Sequence, residues 1–222
     1  MNIPRQTFAR IKTLTYLYAD ACGRGYDDFL EYTDRIREIG EVEYDPKLDE
    51  AERRRDIAGL QAIVFAAMCF ESAIYEYAAN HLGDSYVQEH LDKLDVLSKW
   101  LVVLRVVAGY EMRKDRAPYG ALKALISARN RLVHSKSEPI DFDNIESQLA
   151  RVRADSEKHN AAVHNAYRAL LLMSMDLDAA IGVENNPLPC YDPKVALPLE
   201  IPTRLKSAFY QCREIMGLTR DA

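Results

Sequence analysis

The segment from Asp49 to Leu82 limits the fold of this chain more than any other. Turned by about 100° per residue, Leu60, Ile63, Val64, Ala67, Ile74, Ala78 and Leu82 fall on one side of a helix, and Gly83 follows as a stop. An apolar stripe of that length must be covered by other elements. The rest of the chain offers helices, since helix-period patterns dominate and alternating strand patterns are nearly absent. The spacing predicts a first helix from about Arg5 to Ala21, stopped by Gly23 and Gly25, and a second from Asp27 to Ile39. The polar connection GEVEYDPKLD leads into the long helix. Two shorter helices are expected beyond it, Ser85 to Leu94, capped by Asp84 or Ser85, and Val96 to Ala108.

The loop GYEMRKDRAPYG comes next, with Pro118 in the first turn of a further helix. In SEPIDFDNIE, Asp143 and Glu146 form a capping-box pattern ahead of a helix to about Ile181, with Gly182 as its stop. The segment NNPLPCYDPKVALPLEIP holds five of the nine prolines, so it is read as an extended arm laid across the body, or as one exchanged in a dimer. A last helix is expected from Thr203 to Met216. The fold class is therefore all-α, a helical bundle with two long helices. Residues 1–182 form one domain with the helices of 1–45 as an extension, and residues 183–222 form the proline-rich arm and a short helix.

With 222 residues, 48% of them apolar and 28% charged, the chain is long enough for a substantial core. A net charge of −5 argues against non-specific coating of nucleic acid, so a role on nucleic acid needs a local basic patch. Cys22, Cys69, Cys190 and Cys212 are far apart and form no CxxC pair, which suits a reducing cytoplasm better than a disulfide framework or a zinc site. The N-terminus lacks the apolar region of a signal peptide, and WLVVLRVVAG is too short to span a bilayer and contains Arg105, so no membrane partner is expected.

Two charges interrupt apolar stripes. Glu71 falls within the stripe of the long helix, and Arg129 within that formed by Leu122, Leu125, Ile126, Leu132 and Val133. A buried charge is tolerated mainly when paired. Either the two form a buried structural ion pair, or Arg129 reaches a cleft or subunit interface and Glu71 orients it. Asn130 and His134 lie four apart and share a helix face with Lys123 and Ser127 beside the stripe. Arg129 and His134 point in different directions on a straight helix, so both reach one site if the long arginine wraps round and the helix distorts or ends near His134, or if a second copy of the chain completes the site.

Arg-Asn, three further residues and then His, near the end of a helix in an all-helical chain, resembles the HEPN superfamily. The signature of that family is an arginine, four to six residues, and a histidine. The match is RNRLVH, Arg129 to His134, and Glu71 in CFESAIYEYA fits the family's polar residue on the preceding long helix. The resemblance extends over about Leu60 to Ile181. A second pair within the same four-to-six range, Arg153 and His159 in RADSEKH, lies in a uniformly polar segment and is read as solvated. His81 and His90 are read as surface residues, and His164 has no evident partner.

The resemblance implies a metal-independent endoribonuclease without a cofactor, often a toxin or defence effector with an antitoxin or other protein partner. It also implies a homodimer with paired arginine–histidine motifs facing one groove. In such a site a ribose 2′-hydroxyl attacks the adjacent phosphorus. By resemblance His134 is the acid or base, Arg129 the phosphate clamp, Asn130 an orienting group and Glu71 the support of Arg129. Histidine titrates near neutral pH, and a guanidinium is permanently charged, so the chemistry suits these residue types. The segment from Arg105 to Lys136 carries eight basic residues against Glu111 and Asp115. Lys123, Arg131, Lys136 and the loop residues Arg113, Lys114 and Arg116 are thus candidate RNA contacts, with Tyr110 and Tyr119 available to stack on bases. The competing readings are a non-catalytic helical module that binds RNA, a nucleotide or a protein, and a purely structural oligomer.

Overall fold

A computed structural model describes residues 5–6, 10–40, 45–192 and 198–218. Seven α-helices follow one another without a strand among the described residues: α1 Thr15–Ile39, α2 Pro46–Leu82, α3 Asp84–Tyr86, α4 Val96–Ala108, α5 Ala117–Val133, α6 Ile145–Ile181 and α7 Lys206–Ile215. The helix ends follow local chemistry. Asp45 accepts a hydrogen bond from the Lys47 N–H at 2.8 Å, Pro46 occupies the first turn of α2, and Gly83 leaves it at φ 87°. Asp95 caps α4 by accepting from the Ser98 N–H at 3.0 Å, and Gly109 ends that helix in the left-handed region. The expected capping box before α6 does not form. Asp141 accepts from the Asp143 N–H at 3.1 Å and from Asn144 Nδ2 at 2.9 Å instead, because a 3-10 turn at Phe142–Asn144 precedes the helix.

Gly23 and Gly25 do not stop a helix. α1 runs through both, and its first residue is Thr15 rather than Arg5. Part of the expected first helix, residues 7–9, lies outside the described residues. The reason for continuity is packing. A Cβ at Gly25 would sit 3.0 Å from both the Ala58 carbonyl oxygen and the Ala62 nitrogen of α2. Glycine here lets two helix backbones approach, and the packing outweighs its poor helix propensity. α1 and α2 make the most extensive contact in the molecule, with Ala19, Cys22, Tyr26 and Phe29 of α1 in the shared core.

The buried side of α2 is rotated from the expected stripe. Ala58, Ala62, Ile63, Ala66, Cys69, Phe70, Ala73, Ile74 and Tyr77 are its core, while Leu60 is 41% exposed. Small residues, not only the large aliphatics, define the face that neighbouring helices cover. Glu71 consequently lies off that face and is exposed. α2 contains an 18-residue window long and apolar enough to cross a membrane by composition, and 56% of that window is buried, as in a core helix. Phe70 and Trp100 pack edge to face at 5.6 Å, and the Trp100 indole N–H donates to the Phe70 carbonyl at 3.2 Å.

α6 joins the bundle through its C-terminal half. Val163, Ala166, Tyr167, Leu170 and Leu171 are buried, whereas every residue from Glu146 to Lys158 except the half-buried Gln148 is exposed. The chain after α6 folds back on the same helix: Ser174 Oγ donates to the Pro189 carbonyl at 2.8 Å, and Asn186 Nδ2 to Asp178 at 2.7 Å. Leu188, Cys190 and Tyr191 are buried there. Residues 193–197 of the proline-rich arm lie outside the described residues.

Two stability measurements test this packing. A Cβ at Gly23 meets only Tyr167 Cε2 at an ordinary 3.7 Å, so Gly23→Ala should raise stability by up to about 1 kcal/mol in chemical denaturation. Gly25→Val should lower it by about 1–3 kcal/mol, because two rigid backbones must separate. The second test uses pH. Burial lowers the pKa of both His159 and His164, and His164 also meets Tyr26 Oη at 2.9 Å through Nδ1. The unfolded chain therefore takes up protons first, and stability present at neutral pH is lost as pH falls below the ordinary histidine value of about 6.5. Melting curves of the wild type and His164→Gln should converge on acidification through that window.

Candidate functional site

The site begins with α5. Pro118 opens the helix, Leu122, Leu125 and Ala128 anchor it in the core, and Asn165 of α6 donates from Nδ2 to the Ala121 carbonyl at 2.9 Å. The helix ends at His134, whose N–H still donates to the Asn130 carbonyl at 3.1 Å. Anchored on that side, α5 turns Lys123, Ser127, Asn130 and His134 to the opposite flank, where all four line a cleft of about 890 Å³ between α5 and α6. Spacings of four, three and four residues make this one helix face, as the angular argument predicts.

The cleft has an apolar floor and a polar rim. Ile63 of α2 and Ile126, Leu132 and Ala162 line its floor. Arg131, Ser135 and Lys136 continue the α5 rim, and Asp155, Lys158 and His159 of α6 form the facing wall. Three carboxylates also line it, and each has a local partner. Asp95 accepts from Ser98, Asp155 pairs with Lys158 at 2.9 Å, and Glu138 stands 3.8 Å from Arg151. Lys123, Arg131 and Lys136 make no ion pair among the described residues, so the cations free to meet a ligand sit on the α5 side.

Arg129 does not line this cleft. It is half-buried beside it and donates from a guanidinium nitrogen to Asn130 Oδ1 at 3.3 Å. Its direct effect on the cleft is to hold the Asn130 amide. Glu71 is farther away, in a separate groove with Arg10, Ser72 and Tyr75. Among the described residues no ion pair joins Glu71 to Arg129, so neither expected form of that pairing occurs within one chain. The physical cause is the rotated core face of α2, which brings alanines inward and Glu71 outward.

The basic loop before α5 is a separate, largely self-paired feature. Arg105 pairs with Glu111 at 2.6 Å, Arg113 with Asp115 at 2.6 Å, and Arg116 approaches the buried Asp176 at 3.6 Å. Lys114 is exposed, and none of Arg113, Lys114 and Arg116 lines the cleft. Tyr110 donates its hydroxyl to Asp176 at 2.5 Å, and Tyr119 packs against the core, so both rings are engaged in the fold.

His159, whose segment reads as solvated, is instead half-buried in the cleft wall. The residues before it are exposed, which accounts for the polar pattern. The overlooked signal is periodicity. His159 precedes the buried Val163 by four residues and lies on the same stripe as Ala166, Tyr167 and Leu170. Burial lowers its pKa, Asp56 raises it, and Arg55 and Arg131 lower it further. Among the described residues no group of three His, Cys, Asp or Glu side chains is placed to hold a metal ion.

No protein-family model matches this chain, and no curated protein and no solved structure matches it either.

Proposed function

We propose that the protein is an RNA-cleaving enzyme of HEPN type, acting at the α5–α6 cleft. The observation that carries this reading is the shared placement of Lys123, Asn130, Arg131, His134 and Lys136 around the α5–α6 cleft, with the three cations in no ion pair among the described residues. A phosphodiester needs positive charge on its nonbridging oxygens, and Lys123, Arg131 and Lys136 supply it. The 2′-hydroxyl loses its proton as its oxygen bonds to phosphorus. The bond from phosphorus to the 5′-oxygen breaks, the leaving oxygen takes up a proton, and a cyclic phosphate remains. His134 is a proton-transfer group for this reaction. Asn130, held by Arg129, orients the nucleotide, and Arg129 is then a positioning residue within one chain.

The same reading includes a second copy of the chain. Ile145, Leu149 and Val152 form an exposed stripe on the projecting half of α6, beside the exposed Ile140 and Phe142. Spacings of four and three residues make it a helix-packing seam, and Arg151 on the same stretch of α6 stands 3.8 Å from Glu138 of the cleft, which favours a second copy docked beside it. An antitoxin or other protein is the alternative occupant. A non-catalytic RNA-binding module is the competing function, and it would use the same cations without proton transfer.

Cleavage of labelled RNA in the presence of EDTA should fall about 10²- to 10⁴-fold in His134→Ala. Equal cleavage by the two proteins would remove His134 from the mechanism, and tight binding without cleavage by the wild type would favour the non-catalytic module. Lys123→Ala and Lys136→Ala should weaken RNA binding and each reduce the salt dependence by about 0.7 in log–log slope. Light scattering on Leu149→Asp with Val152→Asp should report a monomer where the wild type is a dimer.

A further inference from the structure

We propose that His159 is the second proton-transfer group of the cleft, taking the 2′-hydroxyl proton while His134 on the opposite rim protonates the leaving 5′-oxygen. This inference rests on the RNA-cleaving reading and deepens it. Of the chain's five histidines, three have roles in the fold. His164 bonds Tyr26, His81 packs on Tyr77 at 4.6 Å, and His90 packs on Tyr86 at 4.7 Å. The other two, His134 and His159, both line the α5–α6 cleft, and neither ring hydrogen-bonds a described residue. A ring in a cleft wall that no protein group engages can meet a substrate oxygen, and for His159 the Nδ1 edge is the candidate, since Nε2 packs toward Gly59.

The seat of His159 is a built feature of the core. α2 presents Gly59 to it, and a Cβ there would stand 3.1 Å from His159 Nε2 and 2.9 Å from Val163 Cγ2. Glycine at this position leaves room for the ring between α2 and α6. The groups facing the ring come from three helices. Arg131 approaches from α5, Arg55 and Asp56 from α2, and Lys158 with Asp155 from its own helix. Arg55 and Asp56 pair with each other at 2.8 Å, as do Lys158 and Asp155 at 2.9 Å, so their charges largely offset. Burial and Arg131 remain, and both favour the neutral imidazole that a general base requires. His134 is exposed on the rim, where solvent can reprotonate it between turnovers.

The step balances with these two groups alone. The proton of the 2′-hydroxyl passes to neutral His159 as the oxygen–phosphorus bond forms. The imidazolium of His134 gives its proton to the 5′-oxygen as the other phosphorus–oxygen bond breaks. His159 ends protonated and His134 neutral, and exchange with water restores both.

The test is the pH–rate profile of RNA cleavage. The wild type should give a bell-shaped dependence of kcat with one limb from each histidine. His159→Gln should lose the acidic limb and about 10²-fold or more in kcat with little change in KM, and His134→Gln should lose the alkaline limb. The accompanying measurement needs no variant. Added uridine 2′,3′-cyclic phosphate should shift the ring NMR signals of both His134 and His159, leaving those of His81 and His90 in place. If His159→Gln keeps a full rate and a two-limbed profile while His134→Gln is inactive, the role of His159 is overturned and the RNA-cleaving reading stands. If the wild type neither cleaves RNA nor shows ring shifts with the cyclic nucleotide, both fall.

Discussion

The backbone of α1 at Gly25 lies so close to α2 that an added methyl group would meet the Ala58 carbonyl and the Ala62 N–H at 3.0 Å. That contact sets the rotation of α2 about its own axis. With Ala58, Ala62, Ala66 and Ala73 turned inward, Ile63, Phe70 and Ile74 are buried as well. Interiors are close-packed, so once one face of a central helix is committed, its remaining side chains have no freedom to choose another. α2 touches α1, α4, α5 and α6, and its rotation therefore reaches every wall of the cleft. Ile63 lies at the cleft floor, Gly59 leaves space for His159, and Glu71 faces solvent in another groove.

The electrostatics of the cleft follow from where carboxylates find partners. Asp155 and Glu138 are held by Lys158 and Arg151, and Asp95 is occupied at the head of α4. Such exposed pairs contribute little to stability. Their effect is to leave Lys123, Arg131 and Lys136 as the uncompensated charge on one side of the cleft. The loop carrying Arg113 and Arg116 has the greater density of basic residues along the chain. Its arginines are met by Asp115 and by Asp176, which is 4% exposed and also takes the Tyr110 hydroxyl. Charge density along a sequence is thus a poor guide to potential in space. What matters is which cations lack a counter-ion.

Much of the fold is legible in the residues themselves. Gly83, Asp95, Gly109, Pro118 and Gly182 act through local hydrogen bonds and local dihedral angles, and the helices begin and end beside them. The face shared by Lys123, Ser127, Asn130 and His134 is legible for the same reason, since neighbours on one helix are set by its pitch. Gly23 and Gly25 mislead because their effect is tertiary: in isolation they weaken a helix, and against α2 they permit one. Glu71 misleads because alanine and cysteine carry little weight in a hydrophobic stripe yet decide how near two helices can come. RADSEKH misleads in the opposite sense, since its exposed residues hide a histidine that belongs to the buried stripe of the same helix.

By itself the sequence determined the all-helical class, most helix boundaries and the common face of the α5 polar residues, because each depends on interactions within a few residues of chain. Only the tertiary structure decided that Glu71 faces a groove away from Arg129, that Arg116 of the basic loop meets Asp176 of α6, and that His159 joins His134 in one cleft. Those outcomes depend on the angle at which one helix presents itself to another. That angle is set by the fit of small side chains across an interface, which no single helix contains.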